Sequence, residues 1–145
     1  MIAVDTNILV YAHRKDSPWH ERAAACIIAL AEGNTPWAIP WPCIHEFLAI
    51  VTHPRIFRPP TPLNRVLTDL ETLFSSPVLR LIGEPPDYWP HLREVLKGGV
   101  VAGPLVHDAR IAAICEAHGV ATLYSADRDF SRFPGLTVRN PLLPD

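Results

Sequence analysis

Met1-Ile2-Ala3-Val4-Asp5-Thr6-Asn7-Ile8 joins a short apolar run to a carboxylate, two neutral hydrogen-bonding residues and the start of a second apolar pattern. Residues 1–4 read as a buried strand, and helical periodicity resumes at Ile8. Asp5 therefore sits just past a strand end. In open parallel sheets the crevice beyond the carboxyl ends of the strands is where ligands bind. A carboxylate there is expensive to bury unless a metal or a donor faces it.

Strands and helices alternate from there. Ser17-Pro18 predicts a helix N-terminus, and apolar residues recur at helical spacing until Gly33. Residues 36–41 predict a second strand. Pro42 opens a helix that runs through Val51, and residues 55–62, with their prolines, predict a loop. Residues 63–74 predict a helix, 78–82 a strand, and 86–96 a helix opened by proline. Gly98-Gly99 and Gly103-Pro104 bracket a loop. Residues 105–118 predict a helix with Gly119 just past its end. Residues 120–124 predict a strand, 127–133 a short turn or helix, and 136–138 an edge strand, with a surface tail beyond. This alternation predicts an α/β fold with a parallel sheet covered on both faces.

With 145 residues, 48% hydrophobic and 19% charged, the chain reads as one globular domain over 1–145. No apolar stretch is long enough to span a bilayer, and the N-terminus does not read as a signal peptide. Cys26, Cys43 and Cys115 form no Cys-x-x-Cys pair and read as reduced thiols of a cytoplasmic protein. The formal net charge of −2 offers no global attraction for nucleic acid, so polyanion contacts need a local basic patch or bound metal. The tryptophans at 19, 37, 41 and 89 read as core or dimer interface.

Three further acids occupy places comparable to Asp5. Asp127 follows the strand at 120–124. Glu46 and Asp108 lie on the first turns of helices, whose N-termini point at the same crevice. If the first and fourth strands are neighbours, four separated segments bring four carboxylates together. Like charges at that spacing raise one another's pKa, and a divalent cation relieves the strain. On charge alone, Asp5→Asn should stabilise the metal-free protein. An all-oxygen site suits Mg²⁺ or Mn²⁺.

Four segments carry a family resemblance. Val4-Asp5-Thr6-Asn7-Ile8-Leu9-Val10-Tyr11 resembles the opening motif of PIN domains, in the form found in the toxins of VapBC toxin–antitoxin modules. Ile44-His45-Glu46-Phe47 is similar to the family's second acidic site, His107-Asp108-Ala109-Arg110 to its third, and Ser125-Ala126-Asp127-Arg128-Asp129-Phe130 to its fourth. The resemblance implies a three-layer α/β/α sandwich, a metal-dependent endoribonuclease, a homodimer, and an antitoxin that blocks the site. It makes Asp5, Glu46, Asp108 and Asp127 the metal-holding and catalytic acids. Asn7 and Thr6 would orient a carboxylate or touch the phosphate. Arg55 and Arg58, in the proline-rich loop, are candidates for binding RNA phosphates or the antitoxin. Asp129 stands either as an auxiliary acid or as a cap of the turn. His45 and His107 are read as neighbours rather than ligands.

Two rival classes fit parts of this pattern. One is a strand-end-aspartate phosphatase or receiver, although Asp5-Thr6-Asn7 lacks the second acid of the phosphatase motif. The other is a PIN-like scaffold that binds RNA or protein without cutting.

Overall fold

The computed structural model describes residues 1–98 and 100–144. Its strands are β1 (Ile2–Val4), β2 (Trp37–Pro40), β3 (Leu79–Ile82), β4 (Thr122–Tyr124) and β5 (Thr137–Arg139). They form one parallel sheet in the order β3-β2-β1-β4-β5. The helices are α1 (Thr6–His13), α2 (His20–Glu32), α3 (Trp41–Val51), α4 (Leu63–Phe74), α5 (Tyr88–Gly98) and α6 (Leu105–Ala117). They flank the sheet, giving the expected α/β/α sandwich.

Beyond β1 the chain steps to β2 and β3 on one side, then returns with β4 and β5 to the other. The strand order therefore reverses between β1 and β4, and a crevice opens at such a reversal. Ala3 pairs with Leu123 and Val4 with Tyr124. The loops that follow Val4 and Tyr124 consequently emerge side by side. The strands nearest the reversal are mainly apolar because helices cover both faces. Ala3, Val4, Trp37, Ala38, Ile39 and Leu123 are all fully buried.

The departures from the sequence reading have local causes. Helix α1 starts at Thr6, not Ile8, because the Asp5 side chain accepts from the Thr6 N–H and caps the helix. Ser17 does not cap α2; its hydroxyl accepts from Trp19 N–H in a local turn, and α2 begins at His20. Helix α5 begins two residues after Pro86 and extends to Gly98, with Gly99 outside the described residues. Gly119 takes φ +69°, the left-handed conformation expected just past α6.

The tail after β5 is not simply a surface segment. Leu142 is buried in the core, and its carbonyl accepts from Arg22 Nη1 at 3.2 Å. Trp37 is the core tryptophan, whereas Trp19, Trp41 and Trp89 are exposed. All three cysteines are free, with Cys43 and Cys115 buried.

Candidate active site

The end of β1 builds the site first. Asp5 is only 5% exposed, and its two oxygens meet protein donors rather than solvent. Oδ1 accepts from Thr6 N–H at 2.8 Å and from the Cys43 thiol at 3.6 Å. Oδ2 accepts from Ser125 Oγ at 2.7 Å and from Asn7 Nδ2 at 3.3 Å. Burial raises the Asp5 pKa, the hydrogen bonds from Ser125, Thr6 and Cys43 oppose that rise, and the Glu46 charge adds to it.

Thr6 and Asn7 serve their neighbours. Buried Thr6 donates through Oγ1 to Glu46 Oε2 at 3.2 Å, so it fixes the exposed second acid relative to the buried first one. Asn7 Nδ2 also reaches Ser125 Oγ at 3.3 Å, and its Oδ1 accepts from Ala126 N–H at 3.1 Å. Asn7 thus ties the β1–α1 corner to the loop after β4. Its contacts are those of an orienting residue, the first of the two roles expected for it.

The loop after β4 supplies the other half. Asp127 Oδ1 accepts from Asp129 N–H at 2.9 Å and caps the 3-10 turn at Arg128–Arg132. That turn brings Asp129 back beside Asp127, and the first turn of α6 brings Asp108 to both. One carboxylate oxygen from each of Asp108, Asp127 and Asp129 lies within 4.8 Å of the others. Asp108 accepts no hydrogen bond from a described residue. Burial, then the charges of Asp127, Asp5, Asp129 and Glu46, push its pKa up to about 6. All four acids act on Asp108 electrostatically. The tight set is therefore Asp108, Asp127 and Asp129, with Asp5 and Glu46 adjoining. Asp129, left between cap and auxiliary acid in the sequence, stands in the tight set, and Arg132 Nε approaches it at 3.8 Å.

Arg55 and Arg58 lie elsewhere, exposed on the loop beyond the C-terminal end of α3, whose first half carries Glu46. Among the described residues no hydrogen bond or ion pair joins them to the acids. His45 Nδ1 pairs with the Trp41 carbonyl on its own helix at 3.1 Å.

Sequence reasoning missed Ser125. It is 1% exposed, donates to Asp5, and accepts from Asp127 N–H at 3.0 Å. A hydroxyl can do both, which makes it the natural residue between a buried carboxylate and a backbone donor. The usable signal was a small alcohol two residues before a candidate acid at a strand end. Ser125→Ala should lower stability by about 2 kcal/mol, because Asp5 loses its shortest donor and the Asp127 amide loses its acceptor. Thermal denaturation should show a fall of roughly 5 °C, restored by Ser125→Thr. A melting temperature unchanged in the alanine variant would mean that this hydroxyl is not structurally required.

An acid-lined crevice at the reversal of a parallel α/β/α sheet defines a class, and the chain belongs to the PIN-domain family, whose profile matches residues 2–136. Within that family it resembles the VapC ribonucleases. It is 34% identical over 137 residues to the Mycobacterium tuberculosis protein named Ribonuclease VapC48, covering 94% of each chain. It is 32% identical over 142 residues to the Mycobacterium bovis protein named VapC ribonuclease Mb2897, covering 98% of this chain and 96% of that one. Among solved structures, VapBC2 from Rickettsia felis, bound to a promoter DNA fragment, matches at TM-score 0.68 and 25% identity, covering 97% and 98% of the two chains. Mycobacterium tuberculosis VapC20, described as a sarcin-ricin-loop-cleaving toxin, matches at TM-score 0.65 over 90% of this chain and 93% of that one, and at 20% identity it bears on the fold alone.

Proposed function

We propose that the chain is a metal-dependent endoribonuclease, a VapC-like toxin acting as one nuclease domain over residues 1–145. The observation that carries this is the packing of Asp108, Asp127 and Asp129 within 4.8 Å, with Asp5 and Glu46 adding charge around them. The metal-facing atoms are all carboxylate oxygens, and Asp108 accepts no hydrogen bond from a described residue. That set fits Mg²⁺ or Mn²⁺ better than a soft metal.

Asp108, Asp127 and Asp129 would hold the ion, with Glu46 held toward it by Thr6. Asp5 has donors on both oxygens, so it acts through charge, through water, and by fixing Ser125 and Asn7. A divalent cation supplies Lewis acidity and charge neutralisation for phosphodiester hydrolysis. The chain's own task is to hold the carboxylates apart at fixed positions and to present the RNA phosphate to them. The phosphatase alternative gains no support, because Asn7 replaces the second acid and its side chain is occupied by Asp5, Ser125 and Ala126.

The VapBC complex among the solved relatives supports a VapB-like antitoxin as partner; a cytoplasmic homodimer whose site the antitoxin covers is part of the same proposal. No helix among the described residues is long and apolar enough to cross a membrane. Incubation of the purified protein with total cellular RNA tests the activity. Discrete fragments in Mg²⁺ or Mn²⁺ and intact RNA in EDTA are the expected result. Metal binding by calorimetry with no RNA cut under any condition would replace this reading with the scaffold.

A further inference from the structure

Five carboxylates share the crevice, and a divalent ion answers only part of their charge. Asp108, Asp127 and Asp129 come within 4.8 Å, and Asp5 and Glu46 act on Asp108 as well. One such ion brings two positive charges to these five acids. The mouth of the site therefore stays negative toward an incoming phosphate unless a cationic side chain stands beside it. The rest of the chain, at a formal net charge of −2, supplies no attraction of its own.

Among the described residues, the ion pair that reaches these acids is Arg132 Nε to Asp129 Oδ1, at 3.8 Å. That is too long for a hydrogen bond, and Arg132 donates none to a described residue. Its guanidinium keeps five N–H donors in a fixed fork. Other arginines are committed: Arg14 Nη2 lies 2.7 Å from Asp16, and Arg110 Nη2 reaches both oxygens of Glu84 at 3.2 Å. The 3-10 turn sets the direction. Residues three apart eclipse on such a turn, so Arg132 leaves on the face of Asp129, whereas Arg128 leaves with Ser131. The Arg132 and Asp129 side chains are 48% and 50% exposed. The guanidinium can therefore turn without unpacking the core, and its hold on Asp129 is weak in water.

We propose that Arg132 is the phosphate contact of this site: its guanidinium rests against Asp129 in the metal-free chain and, once a divalent ion is bound there, donates to a non-bridging oxygen of the RNA phosphate beside the acids. The inference rests on the nuclease reading and names a substrate-binding residue for it. A guanidinium fork matches two phosphate oxygens and reads no base. Arg132 thus positions the strand without selecting its sequence.

The test sets two affinities side by side. One is binding of fluorescein-labelled hexauridylate in Ca²⁺, an oxygen-seeking ion, with the RNA checked intact on a gel. The other is binding of Mn²⁺ alone, by calorimetry. Arg132→Gln should weaken hexauridylate binding by roughly 5- to 50-fold, the range for one charge-assisted contact. It should also lower the slope of log affinity against log salt by about 0.7, one phosphate's worth on a single strand. Mn²⁺ should bind this variant as tightly as the parent or tighter, because a competing positive charge has left Asp129. Arg132→Lys keeps the charge and loses the fork, so its RNA affinity should fall between the two.

Unchanged RNA affinity in Arg132→Gln overturns the contact. A loss of Mn²⁺ affinity in step with RNA affinity also overturns it, because Arg132 would then act only by placing Asp129. In either case metal-dependent cleavage of cellular RNA by the parent leaves the nuclease standing. Absence of cleavage with every metal, together with the expected losses in Arg132→Gln, overturns the nuclease and keeps the phosphate contact. If the glutamine variant fails to fold, Arg132→Lys decides: RNA affinity equal to the parent's overturns the fork contact.

Discussion

Asp108→Asn should reduce metal-dependent RNA cleavage by at least about 100-fold, on the scale of losing several kcal/mol of charge stabilisation at a metal site, while making the metal-free protein more stable. The two effects share one cause. Asp108 sits among four other acids and binds its proton with a pKa of about 6, above the ordinary 3.8. The folded state holds that proton more tightly than the unfolded chain does. The resulting destabilisation therefore develops as pH rises from about 4 through 6 and is fully present above that. Asparagine removes the charge and the penalty. Because Asp108 is partly open to solvent, the gain near pH 7.5 is discounted to roughly 1 kcal/mol, or about 3 °C in melting temperature.

Melting curves in EDTA should show the variant ahead at pH 7.5 and level with the parent near pH 4. Added Mn²⁺ should raise the parent's melting temperature by mass action and the variant's far less. A variant that melts no higher at pH 7.5 and binds Mn²⁺ like the parent would remove Asp108 from the site.

Asp5→Asn should do the opposite to stability. The charge argument from sequence favours stabilisation, and the raised pKa of Asp5 points the same way. The hydrogen bonds decide otherwise. Asparagine can keep one oxygen on Thr6 N–H, since it caps helices as well as aspartate does. Its amide nitrogen then takes the place of Oδ2, where Ser125 Oγ and Asn7 Nδ2 both donate. Flipping the amide restores those acceptors and loses the cap. Either way donors face donors in a site with almost no solvent, at about 1–3 kcal/mol for each unsatisfied group.

The expected net loss is about 2 kcal/mol, a fall of roughly 5 °C in EDTA. Cleavage should also fall, because Ser125 and Asn7 lose the group that fixes them. A melting temperature equal to or above the parent's would show that electrostatic strain outweighs the hydrogen bonds.

These two substitutions mark where sequence reading stops. The β1 run, the span of α4 and the alternation behind the parallel sheet were legible because each depends on local periodicity. The adjacency of β1 and β4 was conditional in the sequence and is a property of the strand order. The saturation of Asp5 was invisible, because its donors come from residues 6, 7, 43 and 125. Asp129 was ambiguous because a 3-10 turn decides whether it faces Asp127 or solvent. The tail looked superficial because its prolines outweigh the one leucine that seats it.

The bond between Asp5 and Ser125 spans 120 residues of chain. Its consequence concerns time rather than geometry. A ribosome delivers Asp5 early, but Ser125, its shortest donor, follows β4, which is among the last elements made. Contacts at such separation form late in folding. On the nuclease reading, an unfinished chain is harmless to the RNA that surrounds it during its own synthesis.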